Sequence, residues 1–305
     1  MIEAVSYQKE VRHVDVKKIS LSRNSYVIDI YNPDLKELYF ISNLTKVFMS
    51  DLKTCLDTRG IPRVEKRDNY LVVVFRAIAD GRTTPFGIII GNNFILIIHA
   101  KQIKQITPLI KEIDVKLFKS GKEAILHKIF SDVIKDFENS LEKLEDEVDI
   151  LDKNILKIPN QNLINQLFTL KRTSVYYRKA IYRNRDVLVL LQNMETKFIK
   201  KKDDFGPLAI ESMQIMDIEE LLKDRLSNLL EVHLSNTSNK LNEIMKSFTV
   251  IASLLLLPLL ISGIYGMNFR FIPLAENPNG FYIITGVMVL SAVITYAFYK
   301  IRKWA

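Results

Sequence analysis

The sequence predicts an α+β domain followed by long helices, the last two of them transmembrane. Three observations carry this. Residues 1–120 alternate apolar, β-rich runs with polar, turn-prone stretches. Residues 122–200 hold almost no glycine or proline, and their apolar residues recur at helical spacing. Two 23-residue segments, Ser247–Phe269 and Asn277–Tyr299, carry no formal charge.

Bulk composition narrows the class. A chain of 305 residues has room for about two domains. Its 48% apolar and 26% charged content fits a folded protein. A net charge of +8 suits nucleic acid or an anionic membrane surface, and the placement of the charges decides between them. Cys55 is the only cysteine, so no intrachain disulfide forms, as suits a reducing compartment. The first residues, MIEAVSYQKEVRHVDVKK, lack an apolar signal core, so membrane insertion is expected to use internal segments.

In the first domain, Leu71–Phe75, Gly87–Ile90 and Phe94–Ile98 read as buried strands. Asp80-Gly81 and Gly91-Asn92 are the turns between them, and Gly60-Ile61-Pro62 breaks the chain earlier. Helices are expected over Asn43–Asp57 and Thr107–Lys116.

Ile125, Ile129, Val133 and Phe137, then Leu141, Leu144, Val148 and Leu151, mark the next helix. Pro159 ends it, and another runs through Leu163, Leu167 and Leu170 to Met194, giving an antiparallel hairpin. The first is acidic (Glu138, Glu142, Glu145, Asp149) and the second basic (Lys171, Arg172, Arg178, Arg183). Pairing between the two and separately solvated faces explain this equally well, because exposed pairs contribute only about 0–1 kcal/mol each.

A third helix is expected from Pro207, with Asp203 and Asp204 just ahead of it as a start signal. Ile215, Ile218, Leu222, Leu226 and Leu229 form its stripe, and the next breaker is Pro258. If uninterrupted to Tyr265 it is roughly 88 Å long, too long to stand without partners. Within it, Ser235–Asn242 (SNTSNKLN) reads as a loop by propensity, or as helix if its amides face water.

The apolar parts of the two uncharged segments reach about 27–29 Å as helices, close to the hydrocarbon thickness of a bilayer. Lys240 and Lys246 precede the first span, and Lys300, Arg302 and Lys303 follow the second. The loop between holds Arg270 and Glu276. Basic flanks place both termini in the cytoplasm of a cell-membrane protein and explain the net charge without nucleic acid. Tyr265, Phe281, Tyr282, Tyr299 and Trp304 suit the interfaces.

Chemistry-bearing clusters are sparse. His13, His99, His127 and His233 do not pair with each other or with Cys55 at ligand spacing, so core or surface roles are expected. Asp132, Asp136 and Glu138 read as a solvated helix face. There is no phosphate-binding GxxxxGK[ST] pattern and no nucleophile–His–acid set, so no enzyme is expected.

The loop opens with Tyr265-Gly266-Met267-Asn268-Phe269 between two C-terminal spans, and the chain ends in Lys303-Trp304-Ala305. This arrangement resembles the CorA family of magnesium channels. Leu229–Lys246 resembles the family's lead into the pore, and Leu170–Leu188 its arginine-rich helix. Pro62-Arg63-Val64-Glu65, shortly before Asn69-Tyr70-Leu71, resembles a strand entry. The match is close over residues 208–269 and looser upstream.

The resemblance implies a homopentamer in membrane lipid with a CorA-like funnel. Its parts would be a cytosolic domain (1–120), a helical hairpin (121–206), a stalk helix (207–246) and a first span (247–266). An outer loop (267–280), a second span (281–300) and a cytosolic tail (301–305) would follow. It implies ion selection at Gly266, Met267 and Asn268, and pore lining by Asn242, Met245, Thr249 and Leu256, with close helix approach at Gly263. Mg2+ dehydrates reluctantly, so a ring of Asn268 amide oxygens would hold it hydrated and weakly. Gly266 suits the turn before Asn268, while Met245 and Leu255–Leu257 would gate by dewetting. A divalent ion gains about 4.6 kcal/mol per roughly 100 mV, enough to drive uptake.

The family's channels close when cytosolic Mg2+ binds acids between subunits. Here the stalk position is Pro207, with Asp203 and Asp204 nearby, and the partner position falls at Asp51 or Asp57. The chain also departs from the family in placing Arg270 near Asn268, where acids are usual, and Leu259 and Leu260 where a hydroxyl is common. The expected function is magnesium influx, with cobalt and nickel as further ions. The alternatives are a zinc-type transporter of the same superfamily and a non-conducting membrane-anchored interaction protein. Met267 speaks against the former, and Asn242, Thr249 and Ser253 speak against the latter.

Overall fold

The computed structural model describes residues 2–7, 11–13, 19, 21, 24–106, 108, 113–154, 161–268 and 270–302. The chain divides into two compact units, with the boundary between Leu229 and Leu230.

The first unit is built on a seven-stranded mixed sheet. Its strands are β1 (Ile2–Tyr7), β2 (Val11–His13), β3 (Ser25–Tyr31), β4 (Arg63–Lys66), β5 (Leu71–Ala79), β6 (Arg82–Ile90) and β7 (Phe94–His99). Their order across the sheet is β2-β1-β3-β7-β6-β5-β4. Only β3 and β7 pair in parallel, with Val27 opposite Ile95 and Tyr31 opposite His99. The turns expected at Asp80-Gly81 and Gly91-Asn92 join β5 to β6 and β6 to β7. Asp80 (φ 52°) and Gly81 (φ 70°) are both left-handed, as a two-residue hairpin loop requires.

The runs LVVVF and FILII are unbroken because both sheet faces are covered. Helices α1 (Leu35–Thr45) and α2 (Met49–Leu56) cover one face, burying Ile28, Ile30, Val72, Val74, Leu96 and Ile98 against Leu38, Ile41 and Leu52. The other face carries Phe75, whose ring lies 4.6 Å from that of Phe130. Phe130 in turn meets Phe205 at 6.0 Å. Complete burial of each such ring stabilises the fold by about 1.5–3 kcal/mol.

The helix expected over Asn43–Asp57 is two helices. Asp34 caps α1 through a reciprocal box with Glu37. The helix ends at Lys46, which is left-handed (φ 59°). Ser42 Oγ then bonds Val47 O at 2.7 Å, and Phe48 N donates to the Tyr70 hydroxyl at 3.1 Å. A residue 22 positions downstream thus sets the break. Of the helix expected over Thr107–Lys116, residues 107 and 109–112 lie outside the described residues. Helix α3 (Val115–Lys119) begins after Asp114, which caps it.

Helices α4 (Lys122–Asn154) and α5 (Gln161–Asn193) have 33 residues each. Pro159, expected to separate them, lies outside the described residues. Phe137 meets Tyr177, and Glu147 shares a small pocket with Gln166 and Leu170, so the two run antiparallel. Their ion pairs, however, run to a third helix, α6 (Phe205–Tyr265). Arg178 binds Glu219 at 2.8 Å and Glu220 at 3.1 Å, while Arg225 of α6 binds Glu145 and Asp149. Among the described residues, no ion pair found joins α4 to α5.

Asn184, 1% exposed, acts as a strand partner in side-chain form. Its Oδ1 accepts from Arg76 N (2.9 Å) and its Nδ2 donates to Arg76 O (2.8 Å). β4 ends opposite Val74, so that edge of β5 is open at Arg76. Asn184→Ala leaves two buried backbone groups unpaired, at ~1–3 kcal/mol each. The full chain in detergent is expected to melt several degrees lower, and an unchanged melting temperature would contradict this role.

Candidate functional site

Within the second unit, α6 continues without a break through Ser235–Asn242 to Tyr265, past Pro258. Within this stretch Thr237, and beyond it Ser247 and Thr249, bond back to the preceding turn. Thr237 Oγ1 donates to His233 O (2.9 Å), Ser247 Oγ to Glu243 O (3.1 Å) and Thr249 Oγ1 to Met245 O (2.8 Å). The helix reading of this stretch therefore replaces the loop reading. All of residues 238–249 are exposed within the single chain.

On an ideal helix, Asn242, Met245, Thr249, Leu256 and Gly263 fall within an arc of about 60°. Leu260 falls in the same sector. The least exposed positions of this segment, Val250, Ser253, Leu254, Pro258, Ile261 and Tyr265, lie on a different side. That side meets the last helix, α7 (Gly280–Ile301), where Ser253 Oγ and the Tyr299 hydroxyl bond at 2.9 Å. The polar stripe is thus the face α7 leaves open. A shallow groove along it is lined by Asn239, Asn242, Glu243, Met245, Lys246 and Thr249. A Cβ at Gly263 would meet nothing within 4 Å, so its bareness serves no contact inside the chain.

Helix α6 ends with Gly266 N bonding Ser262 O (2.9 Å) and Met267 N bonding Ile264 O (3.2 Å). Met267 and Asn268 then stand exposed at its end, and Phe269 lies outside the described residues. The return loop is tied to the helix: the Tyr265 hydroxyl donates to Pro273 O at 2.9 Å. Successive turns at Ile272–Ala275 and Leu274–Asn277 carry the chain to Gly280, where any Cβ would overlap Leu274 O. Tyr265 reads in the sequence as an interfacial aromatic only. Its tie to the loop needs the chain reversal to be seen.

Helices α6 and α7 are both long and apolar enough to cross a membrane, and 6% and 0% of their apolar windows are buried. These windows are not core segments.

The family described as CorA-like Mg2+ transporter protein matches residues 24–302. The chain belongs to the CorA family. It is 33% identical over 316 aligned positions to the cobalt/magnesium transport protein CorA of Methanocaldococcus jannaschii, covering all of both chains. It is 30% identical over 264 positions to the protein of that name from Thermotoga maritima, covering 83% of this chain and 75% of that one. The complete structure of the M. jannaschii CorA magnesium transporter superposes with a TM-score of 0.90 at 30% identity, over 100% of this chain and 99% of that one. As a member of the CorA family, the chain is a membrane protein of a magnesium/cobalt transport family and not an enzyme.

The acids that CorA resemblance singles out differ sharply in environment. Asp51 is 7% exposed, and Arg67 grips both its oxygens at 3.0 Å. The Tyr70 hydroxyl donates to Oδ2 at 2.8 Å. Asp57 is exposed, and its Oδ1 accepts from Arg59 N. Asp203 and Asp204 are exposed in the turn before α6. Asp132 pairs with Lys128 at 2.7 Å. Among the described residues, no three acids, histidines or cysteines of one chain form a metal-binding group. His99 is fully buried and bridges Asp29 (2.9 Å) and Lys101 O (2.6 Å), a structural role.

The Arg67 hydrogen bond holds the Asp51 carboxyl below its ordinary range. Burial, helped by Asp51, pushes the Tyr70 phenol up to about 12. A depressed carboxyl pKa stabilises the fold above the unfolded value of about 3.9, and that contribution is lost as pH falls further. A raised phenol pKa stabilises below about 10, and is lost as pH climbs towards the folded value. Stability should therefore fall at both extremes. Asp51→Asn should lower it by about 1–3 kcal/mol and flatten the acid limb, read by melting the detergent-solubilised chain across pH.

Proposed function

We propose that the chain is one subunit of a homopentameric channel that carries hydrated Mg2+ inward, with cobalt and nickel as further ions. The observation that carries the reading is the continuity of one open helix face. It runs from Asn242 through Met245, Thr249, Leu256 and Gly263 and ends at the exposed Gly266-Met267-Asn268 turn. Five such faces around an axis make a water-filled path with an amide ring at its mouth. That amide ring accepts hydrogen bonds from the ion's own water and releases it readily.

Self-assembly is supported by the exposure of this helix. Asn242 and Thr249 on this face suit a shared aqueous lumen, and Met245 and Leu256 suit apolar constrictions along it. Gly263, bare of intrachain contacts, suits a neighbouring helix. Basic flanks at Lys240, Lys246, Lys300 and Arg302 favour cytoplasmic termini, and the membrane potential then drives influx. The relatives are named cobalt/magnesium transport proteins, and Met267 keeps the triplet that the magnesium reading needs. A zinc-type transporter or a non-conducting anchor explains this face less well.

Reconstituted in liposomes, the protein should admit Mg2+ in proportion to an interior-negative potential. Asn268→Ala should cut the flux at least roughly tenfold, equivalent to ~1.4 kcal/mol. Vesicles that stay impermeable to Mg2+ at such a potential would rule the channel out.

Cytosolic feedback through Mg2+ is part of the reading, with Asp57 facing Asp203 and Asp204 of the neighbouring copy. Asp51 is less suited, because Arg67 already occupies its carboxylate. Mg2+ should protect the purified protein from protease, and Asp203→Asn with Asp204→Asn should abolish that protection. Cleavage indifferent to Mg2+ in the unaltered chain would end the feedback proposal.

A further inference from the structure

The first unit holds a second polar cleft, of about 430 Å³, unconnected with the acids discussed above. Its lining includes Lys122, Glu123, Lys197, Lys200, Asn92 and Asn93. Three cations face one carboxylate, and that carboxylate is engaged: Glu123 Oε1 accepts from Lys200 N at 2.6 Å, fastening the α5–α6 connection to the start of α4. Lys197 and Lys200 are exposed. Lys122 is half-buried, and its Nζ spends one donor on Gly91 O at 2.6 Å, leaving two.

The backbone adds to the same sign. Lys122 is the first residue of the 33-residue helix α4, whose leading amides have no intrahelical acceptor. Gly121, before it, has φ +100° and no side chain with which to cap them. A lysine at the positive end of a helix dipole is unfavourable by itself. Burial pushes the Lys122 ammonium pKa down, with the charge of Glu123 opposing and that of Lys200 adding to the shift. Three cations and a helix terminus, set against the one engaged carboxylate of Glu123, are stabilised by a further anion placed among them. Phe118 and the buried Phe198 give the cleft apolar walls, and its volume lies in the ordinary range for small-molecule sites, roughly 300–1,000 Å³.

We propose that this cleft binds a phosphate-bearing anion, its phosphoryl oxygens seated on Lys122, Lys197, Lys200 and the first-turn amides of α4. Phosphate fits better than carboxylate. It offers more charge and more acceptor oxygens to three separate ammonium groups, and helix N-termini receive it readily. The site lies wholly in the first unit, so its occupancy is read without reference to ion conduction.

The test is calorimetric titration of the full chain in detergent, in Mg2+-free buffer, with sodium tripolyphosphate and separately with dioctanoyl phosphatidic acid. Tripolyphosphate binding that weakens as salt rises supports a soluble phosphate. Binding of the phosphatidate alone supports the same site with a lipid headgroup as its source. Lys122→Gln should weaken the binding about tenfold, and the exposed pair Lys197→Gln with Lys200→Gln by as much or more. The double variant decides the matter if Lys122→Gln fails to fold. Absence of binding by either probe at millimolar concentration, or equal binding by wild type and the double variant, overturns the proposal.

Discussion

The rest of the structure depends on one uninterrupted helix. α6 runs for 61 residues, about 90 Å at helical rise, and takes part in both compact units. In the first unit it buries Phe205, Leu208, Ile215, Leu222 and Leu226 and accepts the ion pairs of Arg178. In the second, Thr237, Ser247 and Thr249 bond back to their own preceding turn, and Ser253 reaches Tyr299 of α7. A helix of this length draws most of its stability from packing, and the proposed assembly would supply partners to the part beyond Leu229.

The first unit answers a different constraint. Its sheet is covered on both faces, so the central runs of β5, β6 and β7 (Leu71–Phe75, Phe86–Ile90 and Phe94–Ile98) are unbroken apolar stretches. Several charged groups that enter this interior are paired: Asp51 with Arg67 and Tyr70, Asp29 with His99, Glu219 with Ser174 and Arg178. The Lys122 cleft differs in kind: three lysines gather there around one carboxylate, Glu123, at the start of α4.

Much of this was legible in the residues. The strands from Leu71 to Ile98 show as apolar runs between Gly-containing turns. The two spans show as uncharged segments of bilayer length. The Gly266-Met267-Asn268 turn shows as a triplet whose position between spans gives it meaning. The break at Lys46–Phe48 was less visible, although Asp34 and Glu37 form a capping box that marks the true start of α1. Its cause, the Tyr70 hydroxyl, lies 22 residues away, and helical periodicity carries no information at that range.

Local pattern was sufficient wherever a residue answers to its neighbours in the chain: which segments are apolar throughout, where a helix lacks a breaker, where glycine turns the backbone. The fold was needed wherever a residue answers to a distant partner. That Glu145 and Asp149 of α4 and Arg178 of α5 all turn to α6, that Asn184 completes the edge of β5, and that Asp51 is taken by Arg67 while Asp57 stays exposed are all of this kind. Hydrogen bonds and ion pairs act over a few ångströms in space, whatever the separation in sequence, so chain reversal alone settles them.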